Sequence, residues 1–372
     1  MGFRNIEASR IFAALIAVAF GAGSSAVAAR GPVFAATPAE IPAAQGQASQ
    51  GASCAAKATL SERLALASVD RSRKVLRHPD EWARQLSDFD RGARQRTLEP
   101  TTRQGFLEFA SNAAVPWSPD EEAYWSAIAD RLSDATAGLH LKIPHILLVK
   151  TTGEEEFNSA YTRNRSILLP ESFTLATDER RDFFLLAHEL FHVLSRENPA
   201  QRRALYALLG FERLAKFEYP PELEERRLSN PDAHSYDHAL SVDTGSGNAD
   251  VVPVIQSTIS LADLLKLPAT DAIFSVLDIV LIAVDRHTGE VLRDDSGNLI
   301  KYNFGNTDWV QRMLRNSSYI IDPEELLADN FATLMEWRAN GFLASENPSG
   351  FPANDINLLV AIENVLRAGC GG

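Results

Sequence analysis

The stretch Phe183-Phe184-Leu185-Leu186-Ala187-His188-Glu189-Leu190-Phe191-His192-Val193-Leu194 carries two histidines and a glutamate through an otherwise apolar run. At 3.6 residues per turn, positions four apart lie on one face of a helix, one turn apart. Two imidazoles at that spacing can share one metal ion, zinc being the usual occupant. Glu189 stands beside them, where a carboxylate takes a proton from a water that the metal activates. With 8 His in 372 residues, and Glu at roughly one position in fifteen, chance supplies about 0.01 such motifs in this chain. Burying these three groups unpaired among Phe, Leu and Val costs roughly several kcal/mol, so something must compensate them.

The rest of the composition is ordinary for a globular protein of one large domain or two smaller ones, at 45% hydrophobic and 23% charged residues. A formal net charge of -13 without a basic block argues against nucleic acid or an anionic membrane surface as partner. Arg4 and Arg10 precede an apolar run from Ile11 to Phe20. Small residues follow to Ala29 and include the A-x-A site Ala26-Val27-Ala28. This pattern predicts a cleaved signal peptide over 1–28 and export to the periplasm or the exterior. A second cleavage option lies near Ala35 and Ala36. The apolar run is short for a membrane span, and no later stretch is long enough, so stable membrane insertion is not expected. Residues 29–57, rich in Ala, Gln, Ser, Gly and Pro toward their C-terminal part, read as a flexible linker. Cys54 and Cys370, the two cysteines, are either a disulfide joining the chain ends or two free thiols. Neither has the clustered spacing of a zinc ligand.

Element signals point to an α+β fold. A helical N-terminal region is expected over 58–140, with helices at 60–77, 80–96 and 102–111. A further helix is opened by Ser118-Pro119-Asp120-Glu121, with Ser as cap, Pro in the first turn and Glu three residues on. Over 141–218 the pattern predicts a strand at 143–151 and an extended segment at 161–170. The motif helix then starts at Thr177 or Asp178, and another helix runs from 200 to 216. The region 219–305 reads as a long irregular connection followed by an antiparallel β-meander, and 306–372 as helices near 307, 323–338 and 356–368, the last with Asn354 as cap.

A catalytic zinc takes three protein ligands and keeps one position open. In Tyr319-Ile320-Ile321-Asp322-Pro323-Glu324-Glu325-Leu326-Leu327-Ala328-Asp329-Asn330-Phe331, Glu325 and Asp329 lie four apart on a helix. Glu325 is the leading third ligand, and Asp329 the acceptor for the other N–H of a ligating histidine, His188 first. Glu324 is the chief rival for the metal, ahead of a third histidine. Asp322-Pro323-Glu324-Glu325 is also a helix-start pattern, which accounts for Glu325 by capping alone but leaves Asp329 unexplained.

His188-Glu189-x-x-His192 and Glu325-x-x-x-Asp329 together resemble the two signature helices of the gluzincin clan of zinc metallopeptidases, whose familiar member is thermolysin. Asn158-Ser159-Ala160-Tyr161-Thr162 is similar to that clan's upstream edge strand. The likeness covers about a third of the chain and looks closest to secreted bacterial members. It implies a thermolysin-like mixed sheet above the two helices and one Zn2+ per chain. It also implies a peptide or protein substrate that pairs with Ser159, Ala160 and Tyr161 as an added strand. Glu325 lies 133 positions beyond His192, far more than in thermolysin-like enzymes, so 219–305 is read as an insertion beside the cleft. Clan members often supply a Tyr or His to the oxyanion after the third ligand, and this chain has neither beyond Glu325. Tyr319 is the first candidate for that donor, followed by His234, Tyr236 and His238. Two other classes remain: a zinc amidohydrolase acting on a non-peptide amide, and a non-catalytic secreted metal-binding protein. Oligomeric state is left open.

Overall fold

The computed structural model describes residues 59–175, 177–268, 273–348 and 353–368. The expected signal peptide, the linker 29–57 and both cysteines, Cys54 and Cys370, lie outside the described residues.

The chain enters through α1 (Leu60–Arg63), β1 (Leu64–Leu66), α2 (Val69–Arg77), α3 (Glu81–Gln85), α4 (Asp88–Gln95), α5 (Arg103–Asn112) and α6 (Pro119–Ala135). Two of these differ from expectation. The 60–77 helix is interrupted by β1, because Leu64, Ala65 and Leu66 pair in parallel with Ile146, Leu147 and Leu148. The 80–96 helix breaks at Leu86, where Ser87 turns to cap α4 through the Asp90 amide. Ser118 caps α6 with Glu121 completing a capping box, as its local pattern requires.

A four-stranded mixed sheet follows, built from β2 (Ile146–Thr151), β3 (Tyr161–Arg163) and β4 (Ser166–Pro170) in the order β1-β2-β4-β3. The apolar run of β2 is central and pairs in parallel on both sides. The extended segment 161–170 is a hairpin: Asn164, in the left-handed region at φ 52°, turns β3 back onto β4. β3 is thereby left at the sheet edge. Gly153 shapes the turn that leads into it. Its φ is +85°, and a Cβ there would stand 2.8 Å from Asn158 Oδ1 and 3.0 Å from Pro170 Cβ.

After α7 (Glu171–Leu175) comes α8 (Glu179–Glu197), the motif helix, capped by Asp178. Next are α9 (Pro199–Leu208), β5 (Phe211–Arg213), α10 (Pro221–Glu224), β6 (His238–Asp243), β7 (Asn248–Ser257), α11 (Leu261–Leu264), β8 (Leu277–Ala283) and β9 (Lys301–Tyr302). The expected 200–216 helix stops at Leu208, because Phe211–Arg213 pairs with Leu240, Ala239 and His238. β5 to β9 form a five-stranded antiparallel meander in chain order, which begins earlier than the expected one and includes two strands read as helix or loop.

α12 (Trp309–Met313), α13 (Pro323–Ala339) and α14 (Ile356–Ala368) close the chain. The cap contact of α14 comes from Asp355, which accepts from the Leu358 amide, rather than from Asn354. α13 is buried on nearly every side: Leu326, Leu327, Phe331, Leu334, Met335 and Trp337 are all wholly inaccessible. It packs along α8 within a single apolar core that also takes residues from α6, β2, β4 and α14 and, from the meander, Leu240, Val242, Val251 and Leu281. The two helices that carry His188, His192 and Glu325 are thus fixed from both sides, by the mixed sheet and by the meander.

Candidate metal centre

His188 and His192 lie one turn apart on α8, with rings 4.8 Å between centroids. Opposite them, the first turn of α13 presents Glu325. Its Oε2 lies 3.0 Å from His188 Nε2 and 3.6 Å from His192 Nε2. A tetrahedral ion bound at 2.0–2.1 Å sets its ligand atoms about 3.3 Å apart, and these separations bracket that value. Asp322 caps α13 by accepting from the Glu325 amide at 2.9 Å, while the Glu325 carboxylate turns toward the imidazoles.

Each remaining ring nitrogen meets a carboxylate. His188 Nδ1 is 2.9 Å from Asp329 Oδ1, which is the contact expected from sequence. His192 Nδ1 is 3.2 Å from Glu324 Oε1. Glu324 therefore does not compete for the ion; it sits behind His192, where its second oxygen accepts from Ser195 Oγ at 2.8 Å and from the Tyr206 hydroxyl at 2.5 Å. Asp329 is held likewise by the Ser317 hydroxyl. These contacts fix both Nε2 atoms toward one point.

The buried polar atoms at that point fit a cation. His192 Nε2 and Glu189 Oε2 are enclosed without a hydrogen-bond partner, and their residues are 0% and 3% exposed. Orphaned buried donors or acceptors are costly, and an ion held on His192 Nε2 would remove the cost there. His188, His192 and Glu325 form a buried group able to hold a metal ion. Burial opposes charge on His188, yet its hydrogen bonds to Asp329 and Glu325 prevail and push it up to about 10. Burial pushes Glu189 up to about 8, helped by the neighbouring Asp232 carboxylate. Glu325 goes the other way despite burial, held below the usual carboxylate range by the two histidines.

The centre opens into a cavity of about 700 Å³. Ser159, Ala160 and Tyr161 line it, as does Tyr319, whose ring stacks 6.2 Å from that of His188. The structure does not bring His234, Tyr236 or His238 to this cavity. After Asp232 the chain turns away: His234 Nδ1 bonds Pro231 O at 2.9 Å, and Tyr236 packs on Phe217 and Tyr219. His238 enters β6 with its ring 4.7 Å from that of Tyr206. Burying aromatic area in these clusters outweighs exposure to the cleft.

Two residues of the long connection do reach the centre without having been picked out from sequence. Asn230 Nδ2 donates to Glu325 Oε1 at 2.5 Å, so both oxygens of the Glu325 carboxylate are oriented. Asp232 lines the cavity beside Glu189 and His192. A buried network anchors this loop. Asp90 accepts from the amide and hydroxyl of Ser229 at 2.6 and 2.8 Å. Arg94 joins Glu156, Asp90 and the Ser229 carbonyl. Asn230-Pro231-Asp232 has a turn composition and no periodicity, so no local signal tied it to Glu325. No family model, curated protein or solved structure matches this chain, and its chemistry therefore rests on these side chains.

Proposed function

We propose that the chain is an exported zinc metallopeptidase of the gluzincin type. The observation that carries this is the convergence of His188, His192 and Glu325 on one point beside the Glu189 carboxylate, at the wall of an open cavity. A structural zinc site is closed by four protein ligands, whereas a three-ligand point that opens onto a cavity through His188 and Glu325 suits catalysis. That difference favours an enzyme over a passive metal-binding protein.

A bound zinc ion supplies Lewis-acid chemistry, acidifying water and polarising a carbonyl. Glu189, in the cavity wall, removes the proton from the attacking water and returns it to the leaving amine. Tyr319, which lines the cavity with its ring stacked on that of His188, is taken as the donor to the developing oxyanion. Asp329 and Glu324 hold the imidazoles in register, and Asn230 holds Glu325. On this reading β3, at the edge of the mixed sheet, takes the part of the clan's edge strand, and the backbone at Ala160 receives an extended peptide as an added strand.

The test is digestion of a mixed peptide library by the mature protein, with a chelator control and metal analysis. Chelator-sensitive cleavage, about one zinc per chain, and loss of cleavage with zinc retained in Glu189→Gln are expected. Full activity in that variant, or cleavage indifferent to the chelator, removes the proposal.

A further inference from the structure

We propose that Asp232 receives the free α-amino group of a peptide, making the substrate the N-terminal residue of a chain rather than an internal bond. This rests on the peptidase reading above. A carboxylate oxygen of Asp232 lies within 4.8 Å of the ligand atoms of both Glu189 and His192, and Glu189 Oε2 and His192 Nε2 are both buried without a hydrogen-bond partner.

The edge strand gives the direction. In the β3–β4 ladder Tyr161 faces Leu168, Thr162 faces Ile167 and Arg163 faces Ser166. Backbone groups alternate between the partner and the open edge. The Thr162 amide points outward, because it donates to Asp232 Oδ1 at 2.8 Å. The same oxygen accepts from Thr162 Oγ and lies 3.4 Å from Arg196 Nη2. An added strand can therefore use the edge at Ala160 but meets a capped position at Thr162. If it runs antiparallel to β3, the end that reaches Thr162 is its N-terminus. That end meets a carboxylate, which attracts an ammonium and would repel the C-terminus of a parallel chain. Among the described residues, no hydrogen bond engages Asp232 Oδ2. Leu228, Ile255, Phe274 and Leu277 line the same cavity, so leucine is the first residue of choice for the probe.

The experiment compares the tripeptide amide Leu-Ala-Ala with its N-acetylated form. Binding to zinc-loaded Glu189→Gln protein is read by calorimetry, and product release by the wild type is read by mass spectrometry. The free amine is expected to bind roughly 10- to 100-fold tighter, the worth of a charge-assisted hydrogen bond, and to be cleaved after Leu. In Glu189→Gln/Asp232→Asn protein of unchanged zinc content, this preference should vanish. Equal binding of the two peptides overturns the proposal without any Asp232 variant. Internal cleavage of acetylated peptides as fast as free ones overturns it while leaving the peptidase reading intact. Amine-selective binding with no hydrolysis of either peptide upholds the recognition by Asp232 and removes the peptidase reading. Stronger activity of Asp232→Asn toward both peptides would make Asp232 a blocking group and overturn the proposal.

Discussion

Glu324 offers the sharpest test of how the centre is built, because it touches no substrate and yet stands behind His192. One of its oxygens accepts from His192 Nδ1, and the other serves Ser195 and Tyr206. Glu324→Ala removes the acceptor that fixes the imidazole and leaves two buried hydroxyls unpaired. Loss of such an outer partner lowers metal affinity about 10- to 100-fold, equivalent to roughly 1.4 to 2.7 kcal/mol. Each stranded hydroxyl costs the metal-free fold a further 1 to 3 kcal/mol or so. Glu324→Gln should be milder. Its amide oxygen can still accept from His192, and its NH2 can donate to the rotatable hydroxyls, so affinity should fall by about tenfold at most. Glu325→Gln, which weakens a ligand itself, should lose more than either. Zinc titration against a competing chelator measures the affinities, and urea unfolding of metal-free protein measures the stability term. Wild-type affinity in a folded Glu324→Ala variant would refute the role assigned to this carboxylate.

Three further outcomes are expected. In metal-free protein, His188 holds its proton until about 10, and zinc takes the neutral ring. Affinity should therefore climb by up to about tenfold per pH unit for each displaced proton between roughly pH 6 and 8, and a flat profile in chelator titrations would contradict this. The same raised value means the imidazolium stabilises the metal-free fold fully below its ordinary value near 6.5, a contribution lost as pH rises through about 10. Arg94→Leu leaves the buried Asp90 and Glu156 carboxylates uncompensated and should cost about 3 to 5 kcal/mol by urea unfolding; a loss under about 1 kcal/mol would show the network to be slack. Tyr319→Phe should lower kcat about 10²- to 10³-fold with zinc content unchanged; an unaltered kcat would leave the oxyanion donor to another group.

What was legible in the sequence was local. Ser118, Asp178 and Asp322 announce helix starts because a cap depends on a side chain and an amide two or three residues away. The four-residue spacings of His188 with His192 and of Glu325 with Asp329 are local in the same sense. What depended on a distant partner was not legible. Leu64–Leu66 continues a helical pattern and becomes a strand only because β2 offers it a parallel edge. Phe211–Arg213 extends a helical run until β6 claims it. Glu324 could be seen as a carboxylate beside the ligand, but which nitrogen it faces depends on how α13 lies against α8. Asn230 reaches Glu325 across 95 positions.

That last contact bears on why the chain between His192 and Glu325 is so long. A carboxylate shared by two imidazoles must be fixed by its second oxygen or it will swing out of register. A guanidinium in that place would fix it but draw off the negative charge the cation needs. Asn230 is a neutral donor, so it orients Glu325 and leaves its charge to the metal. Its own position comes from Ser229, clamped by Asp90 and Arg94 of the N-terminal helices. The meander behind it shares the core of α8 and α13 through Leu240, Val242, Val251 and Leu281. Excising 219–305 would thus remove the Glu325 restraint and open the core under the motif helix together. On this geometry the segment ties the helical N-terminal region to Glu325 through Ser229 and Asn230 while its strands share the core of both site helices.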